Sequence, residues 1–459
     1  MKKRTVKILT GIAIVIIVLG IIYAIAISIS SAKLRRAYAD LKKDGRPMLP
    51  GLLIPQEVSD TENAALLYEC AAQLLRAQPA PENTLLYYLG NLSQTFIKES
   101  LDAEKLTELK QLIGQEVVTL ALSIVEQGTR RDLCRYDLNY NEGLGIRINH
   151  VLHLRNLARI LCAKAYLEAE NGKPDTAWDM ITTQLKFADA LRTEPVLISQ
   201  LIRIQMIRLS CDTIKRLCEI TPPNTQQARE IKSLLKDFDD IRTLIFSIDA
   251  ERLLTGEQVF NLPKDELYKT GLEYVQKGTD GLLYRLLFYG ITFKPLFLAD
   301  HAAYLQYMHE GARFVERPYS RKEGEILEKG VQKSGLQRHT VTSILAPALF
   351  RLKEIHFEMT AELRIAQAGL TLLQYKQNQG AFPDSLEALK LQNINDPFSD
   401  KTLFYKTEGE GFVLYSVGPD QVNNGGSGRR LRSKSSNVFS RQKKQEKDWD
   451  IVWRFPDTH

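Results

Sequence analysis

The sequence has little to work chemistry with. It contains no H-E-x-x-H, no G-x-S-x-G, no Walker A loop, no G-x-G-x-x-G and no paired-cysteine metal motif. Its five cysteines, Cys70, Cys134, Cys162, Cys211 and Cys218, are odd in number and match neither C-x-x-C nor Cys/His zinc spacing. A disulfide framework and a zinc module are therefore not expected, and the cysteines read as small apolar residues. Cys211 and Cys218 share a helix face but lie about 10 Å apart along it, beyond the reach of a disulfide. Net charge is also small, +6 over 459 residues, and one stretch near the C-terminus carries more than that excess alone. Overall charge thus selects no partner, and nucleic acid is not expected to be one.

What the chain does have is one long apolar run. From Ile8 to Ala32 there are 25 residues without a charge, enough for a helix to cross a hydrocarbon core about 30 Å thick. Lys2, Lys3, Arg4 and Lys7 precede it, and Ala24-Ile25-Ala26 could serve a signal peptidase. The run is long for a cleaved signal, so a retained signal-anchor is expected. Four basic residues before the span against Lys33, Arg35 and Arg36 after it favour residues 1–7 in the cytoplasm by a narrow margin. The expected organisation is a transmembrane anchor at 8–32, a linker at 33–59, a helical domain at 60–345 and a C-terminal module at 346–459.

With 44% hydrophobic and 25% charged residues, the body can bury a sizeable core. Breakers at Gly45, Pro47, Pro50, Gly51 and Pro55 mark the linker, and Asp60-Thr61-Glu62-Asn63 supplies an N-cap to the run from Ala64. Three- and four-residue apolar spacing predicts helices over Leu106–Val125, Ile148–Ala169, Asp175–Leu191, Val196–Leu217 and Ala228–Arg252. Gly172-Lys173-Pro174 and Pro222-Pro223 separate some of them. Ala163, Tyr166, Gly172 and Ala177 have a tetratricopeptide flavour without a fixed period, so a helical hairpin is expected there. The apolar, aromatic stretch Leu282–Leu298 is broken by Arg285, Lys294 and Pro295; it reads as core, with a membrane-surface or partner-binding face as the alternative.

Two constellations invite a metal or acid/base reading. His150 and His153 share a helix face without a third ligand, and Asp300, His301, Tyr304, His309 and Glu310 crowd one segment without a nucleophile. Asp137-x-Asn139-x-Asn141 opens like an EF-hand loop but has Glu142 where the loop needs Gly and Ile148 where it needs Glu. An enzyme is not expected.

The last ninety residues change period. A helical pattern from about Ala346 passes Ile365, Leu370, Leu373 and Tyr375 to Gly380-Ala381-Phe382-Pro383-Asp384. Then come Asp396-Pro397-Phe398, Leu403-Phe404-Tyr405, the turn Glu408-Gly409-Glu410-Gly411 and a strand-like Phe412–Val417. Gly418-Pro419-Asp420, Asn423-Asn424-Gly425-Gly426 and Asp448-Trp449-Asp450-Ile451 close the chain. This order, from Leu363 to Trp453, resembles the C-terminal half of the major pseudopilin of type II secretion systems. The remainder resembles uncharacterised bacterial membrane-anchored helical proteins, through Glu62-Asn63-Ala64-Ala65.

The resemblance implies a small α+β module, a long helix plus a short antiparallel sheet. It also implies a structural Ca²⁺ in the turn region, with Asp420, Asn424, Asp448 and Asp450 as the ligands by position and Asn423 a weaker one. The alternative is that these residues form turns and caps. Residues 427–447 insert a basic loop with eight Lys/Arg against Glu446, open to anionic lipid, an acidic polymer or an acidic protein face, or simply solvated. The functional expectation is a single-pass protein of the bacterial cytoplasmic membrane, its bulk periplasmic, acting as a structural or protein-interaction module for an envelope partner. An accessory role in a type II secretion-like machine and an enzyme with an unrecognised site are the alternatives.

Overall fold

A computed structural model describes residues 2–81, 83–98, 101–263, 266, 294–335, 340–427 and 450–456. Asp448, most of the basic loop and the first part of the Leu282–Leu298 stretch lie outside the described residues. The protein is mainly helical, with one three-stranded antiparallel sheet near its C-terminus.

Helix α1 (Lys2–Lys43) contains the apolar run, whose side chains are exposed along its length, and does not stop where the run stops. It continues through the first part of the expected linker. The reason is an apolar stripe at helical spacing: Leu34, Ala37, Tyr38 and Leu41 pack on α12 (Lys294–Glu316), and Ala37 and Leu41 are fully buried.

The helical body comprises α2 (Ala64–Arg76), α3 (Leu85–Lys98), α4 (Ala103–Ile113), α5 (Glu116–Gly128), α6 (Asn149–Glu170), α7 (Pro174–Ala188), α8 (Leu197–Ile220) and α9 (Thr225–Asp237). Asn63 caps α2 by accepting from Ala65 N at 3.1 Å, and Pro174 opens α7 where its missing N–H costs nothing. Helices α6 and α8 are buried on most sides and form the centre; α3 and α7 pack on α6, and α2 on α5.

Two expected helices are each two. The Leu106–Val125 pattern breaks at Gly114, which ends α4, and α5 starts afresh at Glu116. The Ala228–Arg252 pattern breaks after α9, where Asp240 accepts from Arg242 N at 2.9 Å to start α10 (Arg242–Ala250). A π-helical turn, Glu251–Gly256, then leads into α11 (Glu257–Asn261).

After α12 come α13 (Arg321–Gly335), α14 (Thr340–Leu345) and the long α15 (Leu349–Gln379). One face of α15 packs on α8 and α9, another on the sheet. Arg208 of α8 binds Glu362 through both carboxylate oxygens, at 2.9 and 3.1 Å, and Glu358 at 2.9 Å; Arg364 binds Asp239 at 2.8 Å. The larger of two hydrophobic clusters among the described residues runs from Ala37 to Trp453, across the boundary expected at residue 345; the smaller gathers Leu53, Tyr140, Ala250, Leu253 and Leu254.

Strands β1 (Phe404–Glu408), β2 (Gly411–Ser416) and β3 (Ile451–Phe455) lie in the order β1-β2-β3. Glu408 pairs with Gly411, leaving a two-residue turn whose first position, Gly409, has φ +57°, where such a hairpin needs glycine. Phe412, Leu414 and Trp453 face α15, and the Trp453 ring lies flat against Gly369, where a Cβ would overlap it.

Candidate functional site

The C-terminal turn brings three of the four expected ligands together. Asp450, at the start of β3, is buried, and its two carboxylate oxygens accept from Asn424 N at 3.2 Å and Gly426 N at 2.7 Å. Its own N–H donates to the Ser427 carbonyl at 3.2 Å. Asp420 accepts from Val422 N at 3.1 Å, and the Asn424 amide donates to Asp420 Oδ2 at 3.4 Å and to the Val422 carbonyl at 3.2 Å. Asn423 Oδ1 accepts from the Tyr415 hydroxyl at 3.1 Å and Gly425 N at 2.9 Å.

Burial pushes the Asp450 carboxyl above the usual carboxylate range, and the nearby Asp420 pushes it the same way; the backbone N–H donors pull against both. As placed, these side chains knot the 422–427 turn over Val413 and Tyr415, the outer face of β2. The two carboxylates are already engaged with N–H and amide donors. No group of three His, Cys, Asp or Glu that could hold a metal occurs among the described residues, and the fourth expected ligand, Asp448, lies outside them.

The side chain that organises this module is one the sequence marked only as part of a motif. Asp396 is fully buried and accepts four hydrogen bonds: Phe398 N at 3.1 Å and Ser416 Oγ at 2.6 Å on one oxygen, Ser399 Oγ at 2.9 Å and Val417 N at 3.1 Å on the other. It ties the Asp-Pro-Phe turn to the end of β2. Two of its donors, Ser416 Oγ and Val417 N, come from twenty and twenty-one residues downstream, so spacing alone could not reveal them.

A second polar cluster lies where α1 meets the body. The Arg252 guanidinium, 1% exposed, reaches Glu257 at 2.5 Å, the Pro47 carbonyl, and Asp249 at 3.7 Å. Tyr38 of α1 donates to Glu257 Oε2 at 2.9 Å, and Arg46 binds Asp249 at 3.4 Å and Glu316 at 2.8 Å. Asp44, at the end of α1, accepts from His309 Nε2 at 2.8 Å and Arg313 Nε at 2.6 Å, which hold its carboxyl down at about 2. His301 stacks on Phe260 with centroids 4.4 Å apart, and burial lowers it to about 4; burial raises Glu251, in the π turn, to about 7.

The residues around His301 that invited an acid/base reading do not converge. His301 faces Phe260 and Tyr38, His309 faces Asp44, and Asp300 caps α14 by accepting from Val341 N at 2.8 Å and Thr342 N at 3.1 Å. His150 and His153 likewise part: the first lies 2.9 Å from Glu194 and is stacked on Tyr136, the second 3.3 Å from Glu69. Ser199 donates to Glu194 and not to His150, so the three do not form a nucleophile activated by a base. Asn139 makes a turn with Asn141 N and binds Glu142 at 3.0 Å, the role expected once the EF-hand reading is set aside.

On the surface, a shallow groove of about 720 Å³ is lined by Leu52, Leu53, Ile54, Pro55 and Phe246, with Arg192, Asp240 and Arg242. Leu49 and Leu52 beside it are 65% and 69% exposed.

Comparison with known proteins finds no family model, no curated protein and no solved structure that matches the chain.

Proposed function

We propose that this is a membrane-anchored cell-envelope protein that works by holding a protein partner at the membrane and not by catalysis. The observation that carries the reading is α1: an apolar helix long enough to span a bilayer, exposed where it is apolar, and continuing without a break into a helix docked on α12. A body fixed in this way suits a scaffold. His150, His153 and His309 are each bonded to a carboxylate of another element, Glu194, Glu69 and Asp44, which suits structural work. The expected placing, in the bacterial cytoplasmic membrane with the body outside, is retained as part of this proposal.

The pseudopilin-like reading of the tail belongs here as well. It is supported by the order of long helix, Asp396-Pro397-Phe398 turn, antiparallel strands and Gly418-Pro419-Asp420 turn; an accessory role in a secretion machine would follow from it.

Orientation and partner are tested together by placing a photo-crosslinking residue at Leu52 in the full chain, in native membranes, with a compartment reporter fused to the C-terminus. A discrete heteromeric adduct with the reporter active outside the cytoplasm is expected. Only uncrosslinked monomer, or a reporter active inside, would sink the proposal.

A further inference from the structure

We propose that the first turns of α1 beyond its apolar run, with the first turn of α12, form a seat for anionic phospholipid headgroups. The inference rests on α1 spanning a bilayer.

Lys33, Arg35 and Arg36 follow directly on Ala32, the last residue of the uncharged run. They are exposed, and none makes an ion pair among the described residues. Leu34, Ala37, Tyr38 and Leu41 occupy the side of α1 that packs on the body, so the three cations flank and oppose that contact. Four residues of helix rise about 6 Å. That is about the thickness of one headgroup layer, given a core of about 30 Å in a bilayer of about 40–45 Å. From Lys33 to Asp44 the helix and its end carry five cations against Asp40 and Asp44, and Asp44 is neutralised by His309 and Arg313.

The second element arrives at the same depth. Tyr38 meets His301 and Asp44 meets His309, so α1 and α12 run parallel. Lys294 begins α12 seven residues, about 10 Å, before His301, level with about Ser31 of α1. Lys294 and Leu296 are both exposed, Leu296 at 48%, and Phe297 is half-buried behind them. A cation beside an exposed apolar side chain is the pairing found where protein meets the boundary of headgroup and acyl chain. This is the membrane-surface alternative for the described end of the Leu282–Leu298 stretch. Because α1 is docked on α12 and not tethered, headgroups bound here fix the height of the whole body.

The full chain in mild detergent would be titrated with tail-labelled phosphatidylglycerol and phosphatidylcholine of identical acyl chains. Each interfacial cation contributes roughly a factor of five toward an anionic surface. At least a tenfold preference for phosphatidylglycerol is expected, falling below threefold in the K33Q/R35Q/R36Q variant and persisting in an R130Q/K173Q/R242Q control of equal charge loss. The substituted collar residues are exposed and unpaired, so the melting temperature of the variant should match that of the parent. Equal affinity for the two lipids, a preference surviving in the collar variant, a preference lost equally in the control, or displacement by millimolar inorganic phosphate would each overturn the inference. Flotation with vesicles of phosphatidylcholine alone tests the anchor separately. Failure to float would remove the anchor and the inference together, whereas flotation with equal lipid affinity would remove the inference alone.

Discussion

Replacing Asp396 with alanine should loosen the C-terminal sheet by about 3 kcal/mol. The carboxylate accepts four hydrogen bonds in a site with no exposure, and three of the donors, Phe398 N, Val417 N and Ser416 Oγ, are themselves buried. Alanine leaves those donors without a partner at roughly 1–3 kcal/mol each. Ser399, half-buried, can turn to solvent. Against this, the buried charge and its desolvation cost disappear, which brings the net down from the sum. Asparagine keeps one acceptor oxygen and should fall between the two.

The chain is too large for one all-or-none transition, so the assay is local: amide exchange of Phe412–Ser416 in the intact protein. About 3 kcal/mol corresponds to roughly a hundredfold loss of protection there, with α6 and α8 unchanged. Ser416→Ala leaves the carboxylate its other three donors but frees Gly418 N, which donates to Ser416 Oγ at 3.2 Å, so it should cost about 1–2 kcal/mol, less than Asp396→Ala. Protection in Asp396→Ala within threefold of the parent would refute the idea that Asp396 organises the module.

Four further outcomes are expected. Arg208→Met should lower thermal stability by about 3 kcal/mol by leaving Glu358 and Glu362 without their shared cation, and adding Glu362→Gln should recover part of the loss. Glu251 has a folded pKa of about 7, above the unfolded value of 4.5, so the folded state holds the proton more tightly. Its contribution is full below pH 4.5 and lost as pH rises through 7, and Glu251→Gln should therefore gain about 2 kcal/mol at pH 8 and nothing at pH 4, measured by melting across that range. His301, lowered from 6.5 to about 4, acts at the acid end, where stability falls as pH drops from 6.5 toward 4 because only the unfolded chain takes the proton. Gly369→Ala should displace the Trp453 ring, cost about 1–3 kcal/mol and shift tryptophan emission, and an unchanged spectrum would contradict the packing described.

How much of this was legible depended on how far apart the cooperating residues lie in sequence. The anchor run, the Asn63 cap, the Pro174 start and the Gly409 hairpin are local, and each could be read from a few adjacent residues. The docking of α1 was also present, as the spacing of Leu34, Ala37, Tyr38 and Leu41, but the three cations interleaved with that stripe and the prolines just after it made the segment read as a linker. The broken helices show the converse: periodicity continued across Gly114 and Asp240, and while Asp240 marks the start of α10, the start of α5 at Gln115 has no side-chain cap to mark it. At the candidate site, Asp420, Asn424 and Asp450 were named and do lie together. What sequence could not provide was the use to which they are put, since the carboxylate of Asp450 is matched to N–H groups some two dozen residues away. Asp396 and the Arg208 pairs were missed for the same reason.

The arrangement also bears on what the tail can do. Elements touch in series from the long apolar helix onward: α1 on α12, α12 on α15, and α15 on the sheet. Each joint is packed as well as polar. Lys353 of α15 donates to the carbonyls of Phe314, Arg317 and Pro318 at 2.7, 2.8 and 3.0 Å, closing the C-terminal end of α12, while Leu349 lies against Gly311. Tyr319, in the loop that follows, sits 3.2 Å from Glu354 and 3.0 Å from the Pro419 carbonyl, joining that end to the turn that carries Asp420. Contiguity of this kind does not by itself make a signalling route, because coupling needs an element with two states. What it does set is position: with no free linker between α1 and the sheet among the described residues, the place of the C-terminal turn is fixed relative to α1. A protein that used its tail merely as a tethered hook would not need Tyr38, Asp44 and Arg46 committed to the body, and their commitment is the reason to treat anchor, helices and sheet as one functional unit.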